Sequence, residues 1–213
     1  LDFPHPYHLG SGSFFVIEGD EYDSAFFAKT AKFFSYMPEI LVINNIEFDH
    51  ADIYSDFAAI EKTFAQVINM VPNNGLILGS AADPHIPSLL SAAWAPVQTF
   101  DIDSTATIQA YNTEVFPYSQ RFQMRLANQD LGMFDLPLLG TYNIRNALAA
   151  AGVALYAGLS PNQIRSALAS FKGVKRRQEM LGTINNIILI DDFAHHPTAV
   201  SETLIGLRRS HPN

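Results

Sequence analysis

Acidic, imidazole and carboxamide side chains fall in this chain just where apolar runs stop. The densest group is Ile43-Asn44-Asn45-Ile46-Glu47-Phe48-Asp49-His50-Ala51-Asp52-Ile53-Tyr54. It follows Ile40-Leu41-Val42-Ile43, a run short and β-branched enough for a buried strand. A second group, Glu18-Gly19-Asp20-Glu21-Tyr22-Asp23, follows the apolar run Phe14-Phe15-Val16-Ile17 in the same way. Ligands of open α/β sheets sit at the carboxyl ends of strands. Two such ends rich in carboxylates, one carrying His50, could converge on a divalent cation; oxygen ligands suit Mg²⁺, and a single imidazole is also compatible with Mn²⁺. The same acids could equally be helix caps and solvated loop residues, and spacing alone leaves both readings open.

Three further groups could do chemistry. Asn143 and Asn146 are three apart, which puts them on one face of a helical turn. Each carboxamide offers two donors and an acceptor, a match for an adenine edge, although both could simply cap the helix. Lys175-Arg176-Arg177 is the one dense basic run, either a solvated surface or a phosphate clamp. Asp191-Asp192-Phe193-Ala194-His195-His196-Pro197 closes another apolar run, Ile187-Ile188-Leu189-Ile190. From the residues alone, His50, His195 and His196 also permit a metal-dependent hydrolase, which would bring its histidines and acids within about 4 Å of two shared metals.

The elements that must position these groups read as α/β. Strands are expected at 14–17, 40–43, 76–78 and 187–190. After Ser55 or Asp56, good N-caps, the residues Phe57, Ile60, Phe64, Val67 and Val71 form one face of a helix ending before Pro72. Asn73-Asn74-Gly75 is a strong turn. Residues 24–34 read as a short helix or irregular segment, and 87–94 as a helix. From about 97 to 135 the chain is β-rich; Phe122, Met124 and Leu126 alternate with Arg121, Gln123 and Arg125, the period of a strand with one wet face. An alanine-rich helix opens after Gly140, and Ser160-Pro161-Asn162-Gln163 is a capping box for the next. Thr198 is expected to cap a last helix with Val200, Leu204 and Leu207 on one face. Gly10-Ser11-Gly12-Ser13 lacks the lysine and preceding strand of a phosphate loop and reads as a turn.

Composition narrows the function classes. Of the 213 residues, 48% are hydrophobic and 16% charged, enough apolar material for a sizeable core. A net charge of −8 argues against general binding to nucleic acid or anionic membranes. The absence of cysteine excludes a disulfide framework, a thiolate metal site and a cysteine nucleophile, and suits the cytoplasm. No apolar run reaches the ~18 residues of a membrane span. The chain opens Leu1-Asp2-Phe3-Pro4 without a signal-peptide pattern, as expected of part of a longer protein.

In fixed order, Glu18-Gly19-Asp20-Glu21-Tyr22-Asp23, Asn44 through Asp52, Gly140-x-x-Asn143-x-x-Asn146, and Arg176-Arg177 followed by Asp191 through Pro197 resemble the Mur ligases over essentially the whole chain. These are ATP-dependent amide-forming enzymes of bacterial peptidoglycan metabolism. The resemblance implies an α/β fold: the mostly parallel sheet of a central ATPase domain with a β-rich portion over residues 1–173, and the start of a Rossmann-like C-terminal domain over 174–213. It implies Glu18 and His50 as Mg²⁺ ligands, and Asn143 and Asn146 as an adenine-binding pair. Arg177 would reach ATP phosphates, while Asp192 and His195 would be catalytic residues closing over the nucleotide. The run Glu21 to Phe27, with Phe48 and Ala51-Asp52, most resembles members that join L-Ala-γ-D-Glu-meso-diaminopimelate to UDP-N-acetylmuramate in peptidoglycan recycling. Members that add L-alanine to the same nucleotide sugar are the alternative.

Three departures qualify the match. The family's Gly-x-x-Gly-Lys-[Thr/Ser] loop has no counterpart in these residues, Tyr142 stands where a histidine is usual, and Phe64 or Ala65 stands where some members carry a carbamylated lysine, with Lys62 out of register. The expectation is therefore that the 213-residue chain alone neither ligates nor hydrolyses ATP, whereas the same segment within a full-length ligase does.

Overall fold

A computed structural model describes residues 5, 7–24 and 28–211. The described chain forms two compact units, one within residues 9–107 and one running from Ile108 onward.

The first unit is built on three parallel strands. β1 (Ile40–Ile43) pairs with β2 (Leu76–Ser80), Val42 opposite Leu78, and β2 pairs with β3 (Val97–Ile102), Leu78 opposite Gln98. β2 is buried along its whole length, as a strand covered on both faces must be. The crossover from β1 to β2 is α1 (Phe57–Met70), whose first turn is capped by Asp56: its carboxylate accepts from Ala59 N at 2.9 Å. Ile60, Val67 and Ile68 form the helix face that packs inward, where Ile43, Ile46, Ile77, Ile86 and Leu90 complete the core. α2 (Ile86–Leu90) is one turn, shorter than the sequence suggests, and lies so close to β2 that a Cβ at Gly79 would sit 2.4 Å from Leu90 Cδ1.

The second unit begins with an antiparallel meander of β4 (Ile108–Phe116), β5 (Ser119–Leu126) and β6 (Gln129–Leu136). Phe122, Met124 and Phe134 face inward and are fully buried, while Arg121 and Asp135 pair on the outer face at 2.6 Å, as the alternation in β5 requires. α3 (Thr141–Tyr156) and α4 (Pro161–Ser170) follow, then a hairpin of β7 (Glu179–Ile184) and β8 (Ile187–Asp191), and finally α5 (Pro197–Ser210). α3 and α5 contact each other and both contact β4, while α4 packs on β6. Among the described residues no helix is long and apolar enough to cross a membrane.

The α/β class, the parallel strands and the β-rich stretch agree with the sequence reading. Two local expectations, the strand at 14–17 and the cap at Thr198, do not. Phe14–Ile17 is not a strand: Phe15 is 71% and Val16 86% exposed. An apolar run becomes a strand only when a neighbour takes its backbone groups, and none of the described residues does so here. The short helix or irregular segment expected at 24–34, of which residues 25–27 lie outside the described set, is irregular apart from a bridge between Asp23 and Ala31 and a 3₁₀ turn from Lys32 to Ser35. The strand expected at 187–190 is β8, which pairs antiparallel with β7. The hairpin turns at Asn185-Asn186, whose φ of 50° and 64° match the doubly positive type I′ turn that asparagine tolerates. The last helix starts at Pro197 with His196 at its N-cap and no capping side chain, so Thr198 lies inside the first turn.

Candidate functional site

In the first unit the two acidic loops meet. Tyr22 is the bridge: its hydroxyl donates to Asp52 Oδ2 at 2.5 Å, and its ring stands edge-on to His50 with centroids 4.7 Å apart. His50 Nε2 lies 3.3 Å from Glu21 Oε1, and the Tyr54 hydroxyl donates to the Glu21 carbonyl at 2.6 Å. His50 takes a φ of 56°, uncommon for a residue with a Cβ, and its carbonyl accepts from both Ile53 and Tyr54 N–H groups. The first loop is folded on itself by Asp20, which accepts from Tyr22 N at 2.8 Å and from Lys32 Nζ at 2.7 Å. The second is tied down by Asp83, a buried carboxylate after β2 that accepts from Ile46, His85 and Ile86 N–H groups.

These contacts set the electrostatics. The Tyr22 hydrogen bond holds the Asp52 carboxyl below its usual range and, reciprocally, raises the Tyr22 phenol. Burial pulls Asp20 up, but the Lys32 and Tyr22 hydrogen bonds outweigh it and leave the carboxyl lowered. Glu18 is exposed, on the approach to this cluster in sequence. Among the described residues no group of three His, Asp or Glu side chains is placed to hold a metal unaided. One or two carboxylates and an imidazole do fit Mg²⁺, which keeps several waters and completes its octahedron with substrate phosphates.

In the second unit, three predicted groups lie around the start of α3. Gly140, at φ 91°, turns the chain into the helix; Asn143 Nδ2 donates to the Leu139 carbonyl at 2.8 Å, and exposed Asn146 stands one turn further along. Gln120, buried in β5, donates to the Leu138 and Gly140 carbonyls and so fixes the turn from below. The basic run and the loop after β8 fold together. Asp192 accepts from Gln178 N at 2.9 Å and from Ala194 N at 2.8 Å, and Phe193 N donates to the Arg176 carbonyl at 2.8 Å. The Arg176 guanidinium lies 4.8 Å from the Phe193 ring centre and 3.4 Å from Asp191, so it is engaged, while the next side chain, Arg177, is exposed. His195 is exposed, its Nδ1 3.0 Å from the Phe193 carbonyl. α5 closes against this region with glycine on glycine: a Cβ at Gly206 would lie 3.1 Å from Gly140 Cα.

The Mur ligase middle domain matches residues 10–154. The UDP-N-acetylmuramate--L-alanyl-gamma-D-glutamyl-meso-2,6-diaminoheptandioate ligase of Escherichia coli K12 is 37% identical over 202 residues, 94% of this chain and 43% of that protein. The UDP-N-acetylmuramate--L-alanine ligase of Salinibacter ruber is 35% identical, over 96% of this chain and 42% of its own length. The chain belongs to the Mur ligase family. It spans less than half the length of these two relatives. Among solved structures, a murein peptide ligase from Psychrobacter arcticus superposes with a TM-score of 0.69 at 34% identity, covering 90% of this chain and 39% of that one.

For this Mur ligase chain, the structure brings Asn143 and Asn146 to one helix start and ties the Arg177 turn to Asp192, with His195 two residues past the Asp192–Phe193 link. It brings His50 to Glu21. Histidines 195 and 196 lie in a different compact unit from His50. Sequence reasoning passed over Tyr22, Asp83 and Gln178. The signal for Tyr22 was an aromatic hydroxyl inside an acidic run, where carboxylates are at hand to accept from it. For Asp83 it was an Asp-Pro pair soon after a buried strand, the pattern of a cap that serves its neighbours. Gln178 had no local signal, because its partner is far away in sequence.

Proposed function

We propose that this chain is the central part of a longer cytoplasmic ligase that joins L-Ala-γ-D-Glu-meso-diaminopimelate to UDP-N-acetylmuramate at the expense of ATP. In this reading residues 1–173 belong to the central domain and 174–213 open the C-terminal one. The observation that carries it is the junction of the two acidic loops through Tyr22–Asp52 and His50–Glu21, since that junction concentrates negative charge and one imidazole at a strand end. The identity to the two tripeptide ligases, 37% in each, supports the tripeptide over L-alanine as the incoming amine.

The chemistry proposed is phosphoryl transfer to the muramate carboxylate, attack of the peptide amine on the resulting acyl phosphate, and departure of inorganic phosphate. Charge grows on phosphoryl oxygens, so positioning and electrostatics supply most of the rate. Glu18 and His50 would hold Mg²⁺, which when bound neutralises that charge. Asn143 and Asn146 read the adenine edge with their carboxamides. Arg177 offers its planar fork to phosphate oxygens, and Asp192 and His195 act from the loop that closes beside it.

The test is phosphate release by the longer ligase with UDP-N-acetylmuramate and, in turn, tripeptide or L-alanine. Release that requires tripeptide and Mg²⁺, and a raised Mg²⁺ requirement in Glu18→Ala or His50→Ala, is the expected result. Turnover with L-alanine but not tripeptide would transfer the assignment to the alanine-adding enzymes, and turnover without any amine would overturn the ligase reading.

A further inference from the structure

Tyr142 stands one residue before Asn143, yet its side chain leaves the helix for the other half of the unit. Gln178 Nε2 donates to its hydroxyl at 2.8 Å. The ring lies over the turn into α3, where a Cβ at Gly140 would come within 2.6 Å of Tyr142 Cε1. Gln178 in turn donates its backbone N–H to Asp192. One continuous chain of contacts therefore runs from the first turn of α3 through Tyr142 and Gln178 to Asp192.

What lies on that chain is strained. Arg176 and Gln178, the residues on either side of Arg177, have φ of 59° and 49°. Left-handed backbone at residues with a Cβ persists only where surrounding contacts over-determine it. Here the contacts are identifiable: Glu179 accepts from Arg176 N at 2.8 Å, the Arg176 carbonyl accepts from Phe193, and Gln178 is held at its backbone by Asp192 and at its side chain by Tyr142. The Gln178–Tyr142 bond is the member of this set that reaches α3.

We propose that Tyr142 is a positioning residue: through Gln178 it sets the strained Arg176–Gln178 turn, and hence Arg177 and Asp192, relative to the asparagine pair on its own helix. Its function rests on the nucleotide reading above, in which Asn143 and Asn146 take the base and Arg177 the phosphates. One helix turn then places both ends of one ligand: the base directly, and the phosphates through a phenol and a carboxamide.

Amide hydrogen exchange on the full 213-residue chain separates this from general support of the fold. In Tyr142→Phe and in Gln178→Met, protection of the Gln178 and Ala194 amides, both bonded to Asp192, should fall about tenfold, as loss of one half-buried hydrogen bond allows. The Gln163 amide in the distant cap of α4 should not change. The double variant should be no worse than either single one, because both remove the same bond. Unchanged protection at Gln178 and Ala194, equal loss at Gln163, or additive effects in the double variant would each overturn the proposal. Binding of ATP and adenosine to the same proteins tests the reading beneath it. Tyr142→Phe should weaken ATP and spare adenosine; unmodified protein that binds ATP no more tightly than adenosine would remove Arg177's phosphate role while the exchange result still decides the positioning.

Discussion

At the scale of single residues, the strongest constraint in the second unit is Gly140. Its φ of 91° with ψ of 144° is a region open essentially to glycine, and Tyr142 fills the space a Cβ would need. Gly140→Ala should therefore destabilise the chain by about 1–3 kcal/mol, read as a lower urea midpoint, and a neutral result would mean the turn can re-form another way. The acidic loops give a second residue-level expectation. Asp20 and Asp52 both have carboxyls lowered in the fold. A depressed carboxyl contributes stability that is fully present above its unfolded value, about 3.9, and is lost as pH falls through the lower folded value. The loop junction should thus be intact from pH 5 upward and loosen below about pH 4. NMR titration of the Asp side-chain carbons checks this; an Asp52 midpoint at or above the ordinary value would contradict the Tyr22 bridge.

At the scale of elements, α4 is the clearest case of a helix set by its first residues. Ser160 accepts from Gln163 N, Gln163 Oε1 accepts from Ser160 N at 2.9 Å, and Pro161 occupies the first turn. Ser160→Ala should cost about 1 kcal/mol and show first as faster exchange in α4. The same locality explains what the sequence revealed. The α4 capping box, the amphipathic face of α1 and the alternation in β5 are stated by residues within one or two turns of each other, and all three are in the structure. Phe14–Ile17 has equally good local chemistry, but a strand needs a partner, and partnership is not written in the run itself. The site divides in the same way. Asn143, Asn146, Asp192 and the two acidic loops were legible as motifs, whereas the Tyr22–Asp52 and Tyr142–Gln178 bonds join distant segments and emerge only when those segments are folded.

At the scale of the whole molecule, charge and apolar surface oppose each other. The net charge is −8, yet Phe15, Val16, Leu181, Ile184 and Ile187 are all at least 60% exposed. Salt shortens the reach of charge from about 30 Å at 0.01 M to about 3 Å at 1 M and leaves apolar attraction in place. Sedimentation should accordingly show self-association that grows with salt, and a monomer at both extremes would refute it. The seam of Gly206 on Gly140 carries its own consequence, one for inheritance. A methyl group gained at Gly206 would press on the backbone of a residue that already has no room of its own, so what Gly206 can become is set by the neighbour it meets. A change at Gly206 would have to wait for α5 to stand further off, whereas Gly140 stays held by its own backbone and the Tyr142 ring wherever α5 stands.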